Sequence, residues 1–262
     1  MTMPAPPVIF SAQRRMNARA RMASIQRRSK DAAQTLHREM ALDAIDRIAF
    51  VTSRFASAMV LGDTTGKLSA WLEERGTRTT TTDPCGYLAD SPVDELQPLP
   101  GRPFDLIVSL GLLDTLNDLP GALVLMRRAL TPGGLMIASF AGSGSLPGLR
   151  AIMLAADATR PAPRIHPQVD VRGAGQLMNR LGFANPVVDG WGFDVKFSSF
   201  WQLLHDLRGQ ASGAVLMNPG ASVNKAGLDR ALTAFADLAD KDGTLQERFE
   251  IITLSGWSAT EK

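Results

Sequence analysis

The stretch with the clearest chemical potential is Ala58–Leu72, AMVLGDTTGKLSAWL. An apolar run, Ala58–Leu61, enters a loop holding Gly62 and Gly66, and a helical segment, Leu68–Leu72, leaves it. A strand, a glycine loop and a helix in that order let the backbone approach a bound nucleotide closely, at the carboxyl edge of the first strand. The competing reading is an ordinary strand-to-helix turn that binds nothing. Other chemistries find no support. No serine, histidine and aspartate follow one another in a catalytic order, and no phosphate loop carries a lysine. The single cysteine, Cys85, excludes an internal disulfide and a cysteine metal cluster, and with His37, His166 and His205 scattered no metal site is expected.

The elements around the loop follow a βαβ rhythm. Leu68–Arg75 reads as a helix ended by Gly76, and Thr77–Asp83 as a β-branched strand stopped by Pro84. Pro92, Pro98, Pro100 and Pro103 mark a loop. Phe104–Leu110 is nearly continuously apolar, as a strand buried on both faces requires. A helix begins at Pro120, capped by Asn117 or Asp118. Thr131-Pro132-Gly133-Gly134 signals a turn, and Leu135–Phe140 is the next buried strand. Beyond it, helices are expected at Leu149–Ala158, Val171–Leu181, Ser199–Leu207 and Lys225–Leu238, and strands at Val187–Phe197 and Phe249–Trp257. Alternating strands and helices imply an α/β fold with a mostly parallel sheet.

The chain of 262 residues is long enough for a full core, with an ordinary 45% of hydrophobic residues. A formal charge of +2 gives no footprint for nucleic acid, and no apolar run reaches membrane-span length. The charge is uneven. Arg14, Arg15, Arg19, Arg21, Arg27, Arg28 and Lys30 precede any acidic residue. This run reads as an organelle-targeting presequence, a surface for an acidic partner, or a solvated helix face. A second helix is expected over Asp31–Phe50, with Leu36, Met40, Ala44 and Ile48 four apart. We divide the chain into a basic helical segment, 1–50, and a main domain, 51–262, with a helical insert at about 199–245.

The order of glycine loop, Asp83, Phe104–Leu110, Thr-Pro-Gly-Gly turn and two late strands resembles class I S-adenosylmethionine-dependent methyltransferases. Within that family the chain is similar to the branch holding mitochondrial complex I assembly factor 5 and the biotin-pathway carrier-protein methyltransferases. Val8-Ile9-Phe10, Phe104–Ser109, Asn117-Asp118-Leu119-Pro120, Arg164-Ile165-His166-Pro167, Asp170-Val171, Leu181-Gly182-Phe183, Phe200–Gly209 and Gly256-Trp257 carry that likeness. The resemblance implies a Rossmann-like sheet of seven strands, the last antiparallel. S-adenosylmethionine is the implied cofactor, and the implied acceptor is a protein or a carrier-bound group, a complex I subunit being one instance. It implies methylation, or hydroxylation in the assembly-factor branch.

By the same resemblance Gly62 and Gly66 are the first and last loop glycines, and Asp83 is the acceptor for the ribose hydroxyls. Asp94 is the adenine contact, and Ser109 to Gly111 face the methionine part. Each aspartate also has a plainer reading, as a turn or loop cap. Asp114 lies where the reacting methyl would be, or caps the helix at Pro120. His166 is the histidine placed for proton transfer, while His205 reads as packing. Arg164 holds an anionic group or pairs with Asp170. Phe197, Phe200 and Trp201 form a lid or, at helical spacing, core, and Trp191 and Phe193 read as core. The chain departs from the family at Val60, Thr64, Phe10-Ser11-Ala12 and Leu113-Asp114-Thr115. A Cβ at position 64 pushes the loop away from a ligand that glycine would admit. Two functions follow: an S-adenosylmethionine-dependent methyltransferase, or a degenerate member acting as a non-catalytic binding or assembly protein. Its place is a bacterial cytoplasm, with the mitochondrial matrix as the alternative.

Overall fold

A computed structural model describes residues 8–29, 31–51, 53–88, 92–101, 103–158 and 160–260. Its elements are α1 (Ala12–Arg28), α2 (Thr35–Phe50), β1 (Ser57–Leu61), α3 (Lys67–Glu73), β2 (Arg78–Thr82), β3 (Phe104–Leu110) and α4 (Leu119–Arg128). Then follow β4 (Leu130–Ala141), α5 (Pro147–Ala156), α6 (Val171–Arg180), β5 (Ala184–Phe197), α7 (Phe200–Gly209), α8 (Lys225–Leu238) and β6 (Leu245–Trp257). The strands order as β2-β1-β3-β4-β6-β5. β1 pairs in parallel with β2 and β3, β3 in parallel with β4, and β6 antiparallel with β4.

The described sheet has six strands, not the seven that the resemblance implies. β2 is an edge because the chain between it and β3 carries Pro84, Pro92, Pro98, Pro100 and Pro103. Prolines have no N–H for a ladder, and the described residues of this stretch form loop instead of another strand. The Thr-Pro-Gly-Gly segment also differs from expectation. It lies inside β4, where Phe104 registers with Leu130 but Leu106 with Leu135. The extra residues bulge, Gly133 takes a φ of 75°, and the Asp105 carboxylate ties the bulge down by accepting from the Thr131 hydroxyl at 3.2 Å.

Packing divides the chain into two compact units. One comprises 34–142, 169–190 and 251–262. Its sheet is apolar on both faces, as the continuous runs of β1 and β3 dictate. On one face Met59, Leu61, Ile107, Met136 and Phe140 pack with Leu123 and Met126 of α4 and Met178 of α6. α2 buries Leu36, Met40, Ala44 and Ile48, the positions four apart. It is pinned by polar groups as well: the Thr253 hydroxyl donates to Asp43 at 2.8 Å, and Arg47 donates to Asp43 and to Asp189. The Ser139 hydroxyl pairs with that of Thr253 at 3.0 Å.

The other unit comprises 1–33, 143–168 and 191–250. Here α1, capped by Ser11, packs on α7, and α5 packs on α8. The arginine run is therefore not one solvated face. Arg15 and Arg19 are buried beside Met22 and Ala23, while Arg14, Arg21, Arg27 and Arg28 are exposed. Phe197 and Phe200 are core, but Trp201 is exposed. His205 is also exposed, against the expectation of packing. It lies between Leu204 and Asp206 on the α7 face opposite the buried Leu203 and Leu207. Trp191 and Phe193 are half-buried on β5, where Phe193 stacks on Phe249 with centroids 5.4 Å apart.

Candidate functional site

The candidate site is the carboxyl edge of β2, β1 and β3. β1 ends in Gly62, whose φ is 83° and whose N–H donates to Thr82 at 2.9 Å. A Cβ on Gly62 would collide with the Leu110 carbonyl oxygen, so only glycine lets the loop seat on the end of β3. Gly66 also has a positive φ, 68°, and starts α3. Between them Asp63 is 1% exposed and fully engaged. It accepts from the Thr65 hydroxyl and from both the N–H and hydroxyl of Ser69, each at 2.9 Å. Asp63 thus substitutes for a helix cap, a role that an aspartate ahead of a helix signals in sequence.

Two hydroxyls at this edge stand apart. Thr64 Oγ1 and Ser109 Oγ are buried and have no hydrogen-bond partner among the described residues. Ser109 registers with Leu61, the residue that enters the loop. At the end of β3, Gly111 has a φ of 63° and donates to Ser139 at 2.8 Å. Its missing side chain leaves room for α2: His37 Nε2 lies 3.2 Å from where a Gly111 Cβ would be. His37 is 2% exposed. In sequence it was one of three scattered histidines, and nothing local ties residue 37 to residue 111.

The acidic candidates differ sharply in what they already hold. Asp83 is buried, and its carboxylate accepts from the N–H groups of Cys85, Tyr87 and Leu88 at 2.8, 2.9 and 2.9 Å. It organises its own loop, in the manner of the turn reading. Asp94 is exposed and makes a small turn, accepting from Leu96 N–H at 2.9 Å. Asp114 sits in a short 3-10 turn, Leu113–Thr115, half-buried, with no hydrogen bond or ion pair to the described residues. It does not cap α4; Asp118 does, accepting from Gly121 N–H at 2.8 Å.

In the other unit His166 accepts from Val215 N–H through Nε2 at 2.7 Å and meets the edge of Phe10 at 5.3 Å. The bond uses the lone pair that proton abstraction would need. Arg164 pairs with Asp157 through two bonds of 2.7 and 2.8 Å and donates to Ala221 O. Arg164 is thus spent on Asp157 and Ala221, and in the first unit Asp170 caps α6. The Arg164 guanidinium holds the Asp157 carboxyl below the usual carboxylate range, against the effect of burial.

No group of histidine, cysteine or carboxylate side chains among the described residues could hold a metal. No described helix is long and apolar enough to cross a membrane.

A glycine loop on the carboxyl edge of the parallel strands, beside a topology of βαβ units, defines a Rossmann-like α/β fold. Residues 18–186 match the model of the methyltransferase domain, and the chain belongs to that family. It is 29% identical over 168 residues to the Rattus norvegicus protein named arginine-hydroxylase NDUFAF5, mitochondrial, covering 63% of this chain and 49% of that one. It is 28% identical over 166 residues to malonyl-[acyl-carrier protein] O-methyltransferase of Xylella fastidiosa, covering 63% and 55%. The chain spans about half the length of these two relatives. Its fold is that of the Bacillus subtilis protein YcgJ, with a TM-score of 0.57 at 10% identity over 86% of this chain and all of that one.

Proposed function

We propose that the protein binds S-adenosylmethionine at the edge formed by Gly62, Gly66, Ser109 and Gly111 and transfers its methyl group to a protein or carrier-bound acceptor. The observation that carries this reading is the meeting of Gly62 with the end of β3, where a side chain is sterically excluded. The two buried hydroxyls of Thr64 and Ser109 there suit a polar ligand. The sulfonium cofactor would supply its own electrophile, so the chain has only to align the acceptor and exclude water. Asp114, whose carboxylate is uncommitted among the described residues, orients the acceptor or takes its proton. Asp94 would reach the adenine by reorienting its side chain. His166 is not assigned to proton transfer, since its Nε2 already serves Val215.

The acceptor class follows that of the relatives, a malonyl-[acyl-carrier protein] O-methyltransferase and an arginine-hydroxylase. A respiratory complex I subunit is the protein acceptor we would try first. The compartment that fits such an acceptor is a bacterial cytoplasm or a mitochondrial matrix. A second reading is favoured by Asp83. A ribose would have to compete with three backbone N–H groups for its carboxylate, which suits a fold retained for binding or assembly without catalysis. Calorimetric titration with S-adenosylmethionine and S-adenosylhomocysteine decides between them. Micromolar binding supports the enzyme; no heat at millimolar ligand, from protein shown to be folded, supports the assembly role.

A further inference from the structure

The formal charge of +2 conceals a division of charge between the two units. The unit that holds α1 has sixteen lysines and arginines against ten acidic residues, a formal +6. The unit that holds the candidate site has twelve against sixteen, a formal −4. The positive excess gathers on α1, which carries six arginines and no acidic residue. Three of them, Arg14, Arg21 and Arg28, are exposed and recur at every seventh position. Seven residues are close to two helical turns, so these side chains leave α1 in one row, about 10 Å apart. None of the three side chains has a hydrogen bond or ion pair among the described residues. Arg38 and Arg248, by contrast, pair with Glu39 and with Glu250 and Asp194.

The row does little for the fold. α1 is held by its other side, where Arg15, Arg19, Met22 and Ala23 are buried, and it packs on α7. Arg14 stands in the first turn, where the partial positive charge of the helix end disfavours a cation. Arg28, in the last turn, is the one member that a helix end favours. A solvated face usually offsets its charges in pairs four residues apart, and α1 has no carboxylate to pair with.

We propose that this face of α1 docks an acidic helix of a partner protein, whose carboxylates repeat at seven residues and pair with Arg14, Arg21 and Arg28. A facing helix has the same rise per residue, so carboxylates at that repeat meet all three guanidinium groups in one register. Val8 and Ile9, exposed ahead of the helix, give the interface an apolar end. A membrane surface suits the face less. Between Arg14 and Arg28 the exposed positions other than arginine are Asn17 and Ala20, with none of the large apolar side chains that a helix buries in lipid. A nucleic acid would find a single row in a chain whose total charge is near zero. The surface governs partner choice, not the chemistry at Gly62, and serves a methyltransferase or an assembly protein alike.

The test is the fluorescence anisotropy of a labelled helical peptide with glutamates at every seventh position, titrated with the full chain at low salt. A peptide of the same composition and helicity, with its glutamates rearranged, is the control. Vesicles of phosphatidylserine and a duplex RNA are the competing probes. The regular peptide should bind about fivefold or more tighter than the rearranged one. The Arg14→Gln, Arg21→Gln, Arg28→Gln triple variant should weaken it about tenfold or more, as the loss of three exposed ion pairs requires. The same change at Arg54, Arg78 and Arg180, exposed arginines of the other unit, should leave binding within about twofold. Arg14→Gln alone should melt no lower than the natural chain and still weaken the peptide about twofold, which separates lost binding from lost fold. Equal binding of the natural chain and the triple variant, equal binding of the two peptides, or binding of neither overturns the proposal. So does tighter binding of vesicles or duplex that the triple variant abolishes, which gives the face to lipid or nucleic acid. Titration with S-adenosylmethionine is independent of all these results, so failure here and failure of the cofactor reading are told apart.

Discussion

Asp83 shows how one carboxylate can answer to two descriptions. Its place at the end of β2 matches a ribose acceptor, yet its oxygens are occupied by Cys85, Tyr87 and Leu88. Removing it strands three donors, so Asp83→Ala should cost about 2–4 kcal/mol in urea unfolding. A loss of cofactor affinity in that variant would not by itself show a ribose contact. His166 is committed in the same way. His166→Ala leaves the Val215 N–H without its acceptor and Phe10 without its edge contact, at about 1–3 kcal/mol. Amide exchange at Val215 should quicken, whereas methyl transfer, where measurable, should persist. Neither commitment is readable from residue type, because both partners are backbone groups set by the local turn or by a distant segment.

At the scale of elements, the polar chain from Arg47 through Asp43 to Thr253 ties α2 to β6. Breaking one member leaves a charge or hydroxyl unpaired, so Asp43→Ala should cost about 3–5 kcal/mol. A double-mutant cycle with Thr253→Val should show coupling of about 0.5–3 kcal/mol. The other unit uses Glu247 of β6 as a remote cap for α5, accepting from the N–H groups of Gly148 and Leu149. Burial raises the Glu247 carboxyl above its ordinary value, although those backbone bonds oppose the shift. Its protonated form is therefore favoured by folding. The stabilisation is complete below the ordinary glutamate value of about 4.3 and is lost as pH rises through the higher folded-state value. Thermal melts in that window should fall with pH more steeply for the natural chain than for Glu247→Gln. Helix periodicity located α2 and α8, but residues 43 and 253, or 148 and 247, meet only because strands far apart in sequence pair.

For the molecule as a whole, the fold follows the pattern of its segments and the site follows their assembly. The apolar runs at residues 58–61, 104–110 and 135–140 require strands covered on both faces, and the helical segments between them require parallel crossovers. Six strand positions were legible for that reason, while a seventh came only from family likeness and is absent from the described residues, where the stretch between β2 and β3 carries five prolines. Gly62 and Gly66 were legible because positive φ selects glycine locally. The occupied state of Asp83 and His166, the cap formed by Asp63, the approach of His37 to Gly111 and the unpartnered hydroxyls of Thr64 and Ser109 were not. Local patterning determines element type and the sites of obligatory glycine, because sterics and burial act on neighbours in sequence. Which side chains are spent on the fold and which remain for a ligand was decided by tertiary structure, because hydrogen-bond partners are chosen only when distant segments come together.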